Sequence, residues 1–323
     1  MDVKICVIGA GNWGSNHIKT LIRQNIFTGC VEVDPNKINE IKKYYPEVLC
    51  YSSLNDSFSE EFDGYIISTP SENHYQSAID LISKKKPVLV EKPLALSVNE
   101  AEKIKSALLL NKGKLMVGHL LMYHPAILKI EKLLYEGRIG SIKYIYSNRI
   151  QRGKIRSNEN VLWSFAPHDI AVFQFFVKTF PKSVKSVGRD IFKNKIHDSV
   201  ITHMKYPNGI EGHIFSSWIN PFKEHKMVII GTKGSILFED SIEKHPIKLF
   251  ENENQIINGK ISLLKNKKPK KIYYDTSSPL DNELKNFINL INNNGSNHSD
   301  IDKGIEVIKI LEMATKSLKT AGN

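Results

Sequence analysis

Cysteines and long apolar stretches are scarce in this sequence, and each shortage excludes a class of protein. The 323 residues include 3 cysteines, Cys6, Cys30 and Cys50, and no two of them form a Cys-x-x-Cys pair. A small, odd set of thiols beside apolar residues is typical of buried cysteines in a reducing compartment, and it excludes a disulfide framework and a cysteine zinc site. No apolar run approaches the roughly 18 residues that a membrane span needs, and residues 1–5 lack the apolar core of a signal peptide. We therefore expect a cytoplasmic protein without a membrane partner.

Acidic residues are also in short supply relative to basic ones. The chain has 34 Asp and Glu against 45 Lys and Arg, which gives a formal net charge of +11. A positive protein can bind nucleic acid, an anionic membrane surface or a phosphorylated small molecule, and the net charge alone does not separate the three. The lysines are spread along the chain, with short runs at residues 84–86 and 265–271, a distribution typical of solvated surfaces. We therefore expect no nucleic-acid partner.

The order of apolar segments predicts two domains, in line with roughly 150 residues per domain. As far as residue 120, short apolar strands alternate with helical patterns, which predicts a parallel sheet covered by helices. Farther along, consecutive strands joined by hairpin turns predict an antiparallel sheet, with helices at 125–136 and 168–180 on one face. The predicted fold is α/β: an N-terminal Rossmann domain at 1–120 and a C-terminal α+β domain at 121–323, built on a largely antiparallel sheet and ending in a helix at about 302–320.

A glycine-rich turn joins the first predicted strand to the first helix. Gly9, Gly11 and Gly14 have the spacing G-x-G-x-x-G. In a dinucleotide-binding turn the first glycine permits the tight bend, the second lets the backbone approach the pyrophosphate, and the third lets helix and strand pack closely. The amides at the helix N-terminus then hold the phosphates. The motif is short enough to arise by chance, but its place between a strand and a helix predicts a dinucleotide site, with Asn12 and Trp13 inside the turn.

An acidic residue follows the second predicted strand at the expected distance. Asp34 lies twenty residues after Gly14. A carboxylate at this place accepts hydrogen bonds from both hydroxyl groups of the adenosine ribose and repels a 2′-phosphate, so Asp34 favours NAD over NADP. The cofactor predicted from the sequence is therefore NAD.

Two further motifs connect this site to a known family. Glu91-Lys92-Pro93 directly follows the apolar strand at 88–90, and His168-Asp169 begins a later helix. Together with the glycine turn, these residues resemble the Gfo/Idh/MocA family of NAD(P)-dependent oxidoreductases, over nearly the whole chain. The resemblance implies a Rossmann domain followed by an α+β domain, with NAD as cofactor. The expected cofactor contacts beyond the glycine turn lie after the fourth and fifth strands: Ser68, Thr69, Pro70, His74, Glu91 and Lys92.

Three segments resemble, within that family, the enzymes that oxidise C3 of nucleotide-linked sugars. They lie at residues 118–126, 147–149 and 160–170. The resemblance implies UDP-N-acetylglucosamine as the substrate, with the corresponding UDP-sugar uronate as the alternative, and a 3-keto sugar as the product. It also implies a PLP-dependent aminotransferase as the neighbour in the pathway, giving a 3-amino sugar for lipid A or surface polysaccharide. Many family members carry Asp four residues before the active-site histidine, whereas this chain has Ser164, which can offer the substrate a hydrogen bond but no carboxylate.

Lys92 and His168 are the candidates for the catalytic residues. Oxidation of a secondary alcohol by NAD requires a base that takes the hydroxyl proton while hydride leaves the carbon atom. Lys92 follows a parallel strand at its carboxyl end, where open α/β sheets bind ligands, and its ammonium group can stabilise a developing alkoxide. His168 titrates near neutral pH and can act as the base. From the residues alone, Lys92 can equally be a surface lysine and His168 a helix-capping histidine. The resemblance favours catalytic roles for both residues and does not decide which of them is the base.

Polar residues near the predicted strand ends are candidates for binding the substrate. Tyr123 and His124 follow the sixth strand and can either bind the sugar or serve the structure alone. A basic cluster suits a diphosphate, because guanidinium groups form paired hydrogen bonds with phosphate oxygens, and a solvated loop is its alternative. The members of this cluster are Arg149, Arg152, Lys154 and Arg156. The predicted substrate contacts are Lys92, Tyr123, His124, Arg149, Arg152, Ser164 and His168.

No metal site is expected. His119 and His124 are five residues apart, a spacing that two metal ligands can have, but Pro125 interrupts any helix there and no carboxylate partner is evident.

Two alternatives to the predicted function stay open. One is a dehydrogenase of the same fold that acts on another sugar or polyol. The other is a catalytically silent NAD-dependent regulator, whose positive charge would serve nucleic acid. Retention of both Lys92 and His168 argues against a silent protein.

The antiparallel sheet has a second face that helices leave uncovered. Alternating apolar residues at Ile201, Met204 and Phe215 are expected to contribute to that face. The sequence therefore predicts a homo-oligomer, a dimer or a tetramer, formed through this sheet.

Overall fold

The structure, a computed structural model, describes residues 3–153, 155–156, 159–241, 246–251, 256–257, 260–261, 268–294 and 297–320. Lys154, one member of the predicted basic cluster, lies outside these residues. The helices are α1 (Asn12–Arg23), α2 (Pro35–Tyr44), α3 (His74–Ser83), α4 (Val98–Asn111), α5 (Pro125–Tyr135), α6 (Val161–Val177), α7 (Pro279–Ile291) and α8 (Ile301–Thr320). None of these helices, in the described part of the chain, combines the length and the apolar character that a membrane crossing requires.

The strands alternate with helices at first and then follow one another directly. They are β1 (Lys4–Ile8), β2 (Phe27–Val31), β3 (Leu49–Tyr51), β4 (Gly64–Ile67), β5 (Val88–Glu91), β6 (Leu115–Gly118), β7 (Ile142–Arg152), β8 (Ser183–Arg189), β9 (Ser199–Lys205), β10 (Glu211–Ser217), β11 (Ile219–Gly231), β12 (Gly234–Glu239), β13 (Ile247–Glu251), β14 (Ile256–Ile257), β15 (Lys260–Ile261) and β16 (Lys270–Ile272). Short 3-10 turns lie at Asp56–Ser59, Ser71–Asn73 and Leu120–Tyr123.

The chain divides into two compact units, and each unit consists of two separate segments. The first unit comprises Met1–Tyr123 and Ser278–Ile308, and the second comprises His124–Ser277 and Lys309–Asn323. The predicted second domain, 121–323, includes the segment from Ser278, which the structure instead groups with the first unit. The reason is its pairing with β6: the Val117 amide donates to Ser299 O at 2.8 Å, and the Ser299 hydroxyl donates to Val117 O at 2.6 Å.

A parallel sheet with the strand order β3-β2-β1-β4-β5-β6 forms the centre of the first unit. Strands β1, β4, β5 and β6 are buried over nearly their whole length, as expected for a sheet that helices cover on both faces. The strand order reverses between β1 and β4, and open α/β sheets bind ligands beyond the carboxyl ends of the strands at such a point. Gly9, Ser68, Lys92 and His119 directly follow these four strands and therefore share that edge. The predicted Rossmann domain is confirmed.

An eight-stranded sheet with the order β16-β13-β12-β11-β7-β10-β9-β8 forms the centre of the second unit. Neighbouring strands are antiparallel except β7 and β10, which run parallel. Side chains alternate between the two faces, so that Ile145, Met204 and Ile214 are buried while their sequence neighbours are more exposed. The predicted α+β domain on a largely antiparallel sheet is confirmed.

Helix α6 begins earlier than the sequence pattern predicts. A helix at 168–180, starting after Pro167, is expected, but α6 begins at Val161 and contains Pro167. Asn160 caps it, because its side-chain oxygen accepts a hydrogen bond from the Trp163 amide at 3.2 Å. A proline inside a helix removes one backbone hydrogen bond, which the almost complete burial of this apolar helix offsets. His168 therefore lies in the middle of α6, and the prediction that it begins the helix is wrong.

The three residues predicted to form an oligomer surface lie on opposite faces of the second sheet. Ile201 is 45% exposed and is opposite Phe215 on β10 and Val187 on β8. Met204 is fully buried, since it lies three residues from Ile201 and successive side chains point to opposite faces of a strand. Grouping Met204 with the other two is therefore wrong, while Ile201 and Phe215 do share one face.

Candidate cofactor and active site

The glycine turn after β1 leaves room for a ligand. Gly9 has a φ of +90°, a conformation that favours glycine, and its amide donates to Val31 O at 2.8 Å. A Cβ atom on Gly14 would overlap the carbonyl oxygen of Gly9, so α1 packs directly on the turn. A Cβ atom on Gly11 would meet nothing within 4 Å, so open space adjoins this residue. The turn is thus closely packed on one side and accessible on the other, as the pyrophosphate of a dinucleotide requires.

Backbone amides at the start of α1 adjoin the glycine turn. The helix begins at Asn12 with Gly11 as its N-cap, and no side chain from the described part of the chain caps it. The first amides of a helix lack partners within the helix, so they can hold a phosphate group. The Ser68 hydroxyl, which follows β4, donates to Gly9 O at 2.8 Å and fixes the turn. Asn12 and Trp13 are exposed beside it. The residues present therefore fit a dinucleotide at this turn.

The carboxylate that bonds to the glycine turn belongs to Glu32, a residue that the spacing rule does not select. Its side chain is buried, and Oε2 accepts from the Ala10 amide at 2.8 Å. Its Oε1 accepts from the amides of Val33 and Asp34, at 2.9 and 3.1 Å. Asp34, the predicted ribose ligand, caps α2 instead, since its Oδ1 accepts from the Asn36 amide at 2.9 Å. Both carboxylates lie beyond the end of β2, and Glu32 is the one held against the turn.

His74 connects the segments that follow β4 and β5. Its Nδ1 lies 2.8 Å from Pro93 O and its Nε2 lies 2.9 Å from Thr69 O, and the side chain is buried. Both contacts are made to backbone oxygens, so His74 shapes the loop that carries Thr69 and the exposed Pro70. The Thr69 hydroxyl oxygen is buried and has no hydrogen-bond partner among the residues described. A bound cofactor can therefore take a hydrogen bond from Thr69, while His74 acts through the backbone.

Glu91 ends β5, and its carboxylate is the centre of a hydrogen-bonded network. Oε1 accepts from the Trp13 indole N–H and lies 2.7 Å from His17 Nε2. Oε2 accepts from the Lys92 amide at 3.2 Å. The side chain lies close to Gly118, where an added Cβ atom would come within 3.1 Å of the Glu91 carboxyl carbon. This network connects the glycine turn to the backbone of Lys92.

Lys92 and His119 follow neighbouring strands at the ligand edge of the sheet. In the register of β5 and β6, Glu91 is opposite Gly118, and Lys92 and His119 are the next residues. Burial, together with the positive charge of Lys92, lowers the pKa of His119 to about 3. Neither ring nitrogen of His119 has a hydrogen-bond partner within the described residues. His119 is therefore a neutral polar group close to Lys92, and it can bond to a ligand at this edge.

Tyr123 is held inside the first unit. It is 3% exposed, and its carbonyl oxygen accepts from Asn282 Nδ2 at 3.2 Å. Burial raises the pKa of the Tyr123 hydroxyl above its usual range. Of the two alternatives for Tyr123, its packing favours the structural one.

His124 caps α5 in the second unit. Its Nδ1 accepts from the Ala126 amide at 3.0 Å, which places the ring proton on Nε2, and Nε2 lies 3.5 Å from Asp240 Oδ1. Burial alone would raise the pKa of Asp240, but the hydrogen bond from His124 and the charge of Arg149 hold it below its usual value. Both ring nitrogens of His124 are engaged, so the structural alternative is favoured for this residue as well.

Arg149 forms a buried ion pair with Asp169. Its Nε donates to Oδ2 at 2.5 Å, and the two side chains are 12% and 2% exposed. Burial opposes the charged form, yet the charge and hydrogen bond of Asp169 raise the pKa of Arg149 above its ordinary value. Arg152 is exposed, and Arg156 pairs with Glu159. The described members of the predicted basic cluster therefore have separate partners and surroundings and form no common anion site.

His225 extends this polar cluster, and sequence patterns do not single it out. Its Nδ1 lies 3.5 Å from Arg149 Nη1, and its carbonyl oxygen accepts from the Asp240 amide at 2.7 Å. Burial and the positive charge of Arg149 lower the pKa of His225 to about 4. The imidazole is therefore neutral near pH 7 and contributes no charge to the cluster.

Ser164 and His168 share one face of α6, because they are four residues apart. Ser164 is buried and His168 is half-buried. The next residue, Asp169, ties this turn of the helix to Arg149 on β7. The Trp163 indole donates to Thr315 Oγ1 on α8 at 2.9 Å, which fixes the preceding turn. The two candidate residues thus sit on a helix that is anchored at both sides.

Comparison with known proteins places this geometry in a family. A model described as an oxidoreductase family with an NAD-binding Rossmann fold matches residues 3–119, and a model of the GFO/IDH/MocA C-terminal domain matches residues 127–237. The chain is 26% identical over 271 residues to the scyllo-inositol 2-dehydrogenase (NAD(+)) of Bacillus subtilis, covering 76% of each protein.

Two solved structures have the same fold. UDP-N-acetylglucosamine 3-dehydrogenase GnnA from Acidithiobacillus ferrooxidans matches with a TM-score of 0.85 and 18% identity over 99% of both chains. The WlbA dehydrogenase from Bordetella pertussis, solved in complex with NADH and UDP-GlcNAcA, matches with a TM-score of 0.79 and 17% identity over 99% of this chain and 98% of the other. With both domain models matched in order along the sequence, the chain belongs to the Gfo/Idh/MocA family of NAD-dependent oxidoreductases.

Proposed function

We propose that this protein uses NAD to oxidise the C3 hydroxyl group of a UDP-linked N-acetyl hexose, UDP-N-acetylglucosamine. The observation that carries the proposal is the placement of Lys92 at the ligand edge of the sheet, with its amide held by Glu91 and the neutral His119 nearby. An ammonium group at this place can stabilise the alkoxide that forms when a sugar hydroxyl loses its proton. The choice of sugar is supported by likeness to GnnA and WlbA, whose names or bound ligands are those of UDP-sugars.

The glycine turn and the end of β2 would hold the cofactor. The open space at Gly11 and the first amides of α1 suit the pyrophosphate. We assign the ribose contact to Glu32, because its carboxylate is already held against the turn, and place Asp34 beside it as a second negative group. Two carboxylates near the ribose repel a 2′-phosphate and favour NAD over NADP. When bound there, NAD supplies the acceptor for the hydride.

His168 and Lys92 share the proton chemistry in this proposal. His168 takes the proton of the C3 hydroxyl group, and the Lys92 ammonium group donates a hydrogen bond to the same oxygen. The ion pair between Asp169 and Arg149 keeps the turn of α6 that carries His168 in place. Ser164, on the same face of α6, offers the sugar a hydrogen bond. The rival assignment, with Lys92 as the base, predicts a different pattern of variant activities.

A substrate panel tests the proposal. The protein is incubated with NAD and, separately, with UDP-N-acetylglucosamine, its uronate, UDP-glucose and scyllo-inositol, with a PLP-dependent aminotransferase present to remove a 3-keto product. NADH absorbance is expected with UDP-N-acetylglucosamine. NADH formed from the uronate, from UDP-glucose or from scyllo-inositol alone would assign that compound instead, the last being the substrate named for the Bacillus subtilis relative. No NADH with any compound, together with a salt-dependent DNA gel shift, would indicate a silent regulator.

The active form in this proposal is a homo-oligomer. Val187 and Ile201 are 59% and 45% exposed and lie in register with Phe215 on one face of the second sheet. Adjacent exposed apolar side chains of this kind favour association. Light scattering at micromolar concentration should show a dimer or larger, and Ile201→Lys should shift it toward a monomer. A monomeric wild type would contradict this part of the proposal.

A further inference from the structure

Glu283, on α7, is a fully buried acidic residue. Its side chain is 0% exposed, and neither carboxyl oxygen has a partner in the described part of the chain. One ligand-type atom from each of Glu283, Glu91 and His17 lies within 4.8 Å of the others. An isolated, ionised carboxylate is costly to bury, so such a group is expected to be neutral or to be compensated by a cation.

Glu91 is the member of this group whose carboxylate oxygens accept hydrogen bonds. The Trp13 indole N–H and the Lys92 amide donate to its oxygens, and His17 Nε2 lies 2.7 Å from Oε1. Hydrogen bonds of this kind favour the ionised form of their acceptor. A second ionised carboxylate beside it would be repelled, because two buried like charges cannot both ionise easily. Burial and the charge of Glu91 accordingly raise the pKa of Glu283 well above its usual value.

We propose that Glu283 is a positioning residue whose carboxyl group is protonated and directs this proton toward Glu91, which lies within 4.8 Å. The proton on Glu283 keeps Glu91 oriented as the acceptor for the glycine turn, through Trp13, and for the backbone of Lys92. Glu283 touches neither cofactor nor substrate in this scheme and acts only through Glu91. The kinetic consequence rests on the proposed function, whereas the protonation itself does not.

A divalent cation is the alternative occupant of this cluster. Two glutamates and a histidine are a donor set that zinc or manganese can use. However, the N–H groups of Trp13 and Lys92 already direct hydrogen atoms at both oxygens of Glu91, and these would repel a cation at the same oxygens. A proton on Glu283 removes the repulsion between the two carboxylates without displacing either bond.

The charged and titratable groups around Glu283 come from several elements. They are His17 on α1, Glu91 at the end of β5, and Tyr123 on the 3-10 turn. Because the pKa of Glu283 is raised well above its ordinary value of about 4.5, the folded state binds a proton that the unfolded chain releases. The free energy of unfolding therefore decreases as the pH rises from about 4.5 to the pKa of Glu283 in the folded state. Above that pKa it stays at the lower value.

Two substitutions separate the proton from the space that the side chain fills. Glu283→Gln keeps a hydrogen-bond donor and cannot ionise, whereas Glu283→Leu has similar size and no donor. Glu47→Gln, the same chemical change at an exposed glutamate, is the matched control. The melting temperature is measured from about pH 5 to about pH 9, the range over which a raised acid should change stability. NADH affinity and kcat are measured alongside.

The Gln variant should melt above wild type at the alkaline end, and the difference should shrink toward the acidic end. Its kcat should stay within a few-fold of wild type, while the Leu variant should lose about 10- to 100-fold, since small displacements of reacting groups have effects of this size. The Leu variant should also bind NADH more weakly, because Trp13 loses its fixed acceptor. An infrared band of a protonated carboxyl group should be present in wild type at neutral pH and absent from Glu283→Gln.

Several results would overturn the proposal. A Glu283→Gln variant that melts below wild type at every pH would show that Glu283 is ionised. A stoichiometric metal ion that is bound by wild type and absent from this variant would identify a cation in the cluster. Equal kcat and NADH affinity in wild type and Glu283→Leu would rule out positioning. If no sugar is oxidised at all, the proposed function fails, and the melting curves, the infrared band and NADH binding still decide the role of Glu283.

Discussion

The two units obtain their polar networks in different ways. In the first unit, the site residues follow parallel strands and bond to one another across a single edge, as Glu91 does with Trp13 and Ser68 does with Gly9. In the second unit, a residue predicted to bind substrate bonds across the sheet–helix interface: Arg149 on β7 pairs with Asp169 on α6. Strand ends gather functional groups through backbone topology, whereas an antiparallel sheet gathers them through individual side-chain pairs. A motif is thus a better guide to function in the first unit than in the second.

The largest expected effect is the loss of turnover on replacing His168, the proposed base in the second unit. His168→Asn should lower turnover by roughly 10²–10⁴-fold, because the hydroxyl proton has lost its acceptor, and the profile of kcat against pH should lose one inflection. NAD affinity should stay the same. The double variant with Lys92→Ala should be little worse than the poorer single one, since groups acting as a unit are not additive. Near-normal turnover of His168→Asn beside a dead Lys92→Ala would assign the base to Lys92.

The buried ion pair of Arg149 and Asp169 in the second unit should stabilise the folded protein. Asp169→Asn leaves Arg149 buried without its counter-charge, which should lower the free energy of unfolding by about 3–5 kcal/mol in a urea titration. Arg152→Ala, an exposed arginine on the same strand, is the control and should change it by less than about 0.5 kcal/mol. Equal losses for the two variants would contradict the structural role of the pair.

Replacement of Lys92 in the first unit should lower the reaction rate and leave the fold intact. Lys92→Ala should remove on the order of 3 kcal/mol of transition-state stabilisation, about a hundredfold or more in rate, as the loss of one oxyanion donor does. The melting temperature and NAD affinity should remain close to those of wild type. A lower affinity for NAD with an unchanged kcat would make Lys92 a cofactor ligand and not a catalytic residue.

The smallest of these effects distinguishes the two carboxylates after β2. Glu32→Gln should weaken NAD binding by about 10- to 100-fold, the value of a hydrogen bond to a charged group, and should narrow the preference for NAD over NADP. Asp34→Asn should weaken it by less than about threefold, because the side chain mainly caps α2. Calorimetry with both dinucleotides measures the difference. A larger loss in Asp34→Asn would return the ribose contact to Asp34.

Local signals made the first unit predictable. The glycine spacing, the Glu-Lys-Pro segment and the alternation of strands and helices each depend on residues close together in sequence. The choice of Asp34 over Glu32 shows the limit of spacing rules: Asp34 precedes Pro35 and has the features of a helix cap, while Glu32 directly follows the buried strand.

Long-range packing made other features unpredictable. The start of α7 has recognisable signals, with Ser278 at the N-cap position, Pro279 first in the helix and Asp281 in the first turn. No local signal shows that this helix returns to the first unit or that Glu283 is buried there. The sequence also does not show that Asp169 is the partner of Arg149, because this pair depends on how α6 packs against β7.

The return of Ser278–Ile308 to the first unit affects how the protein is made. β6 is the outermost strand of its sheet, and Ser299, which bonds to it, is synthesised 182 residues later. At a ribosomal rate of about 5–20 residues per second, this strand waits roughly 10–40 s for its partner. An uncovered edge strand invites pairing with other chains during that time. The nascent Rossmann unit is therefore most vulnerable to aggregation while the second sheet is still leaving the ribosome.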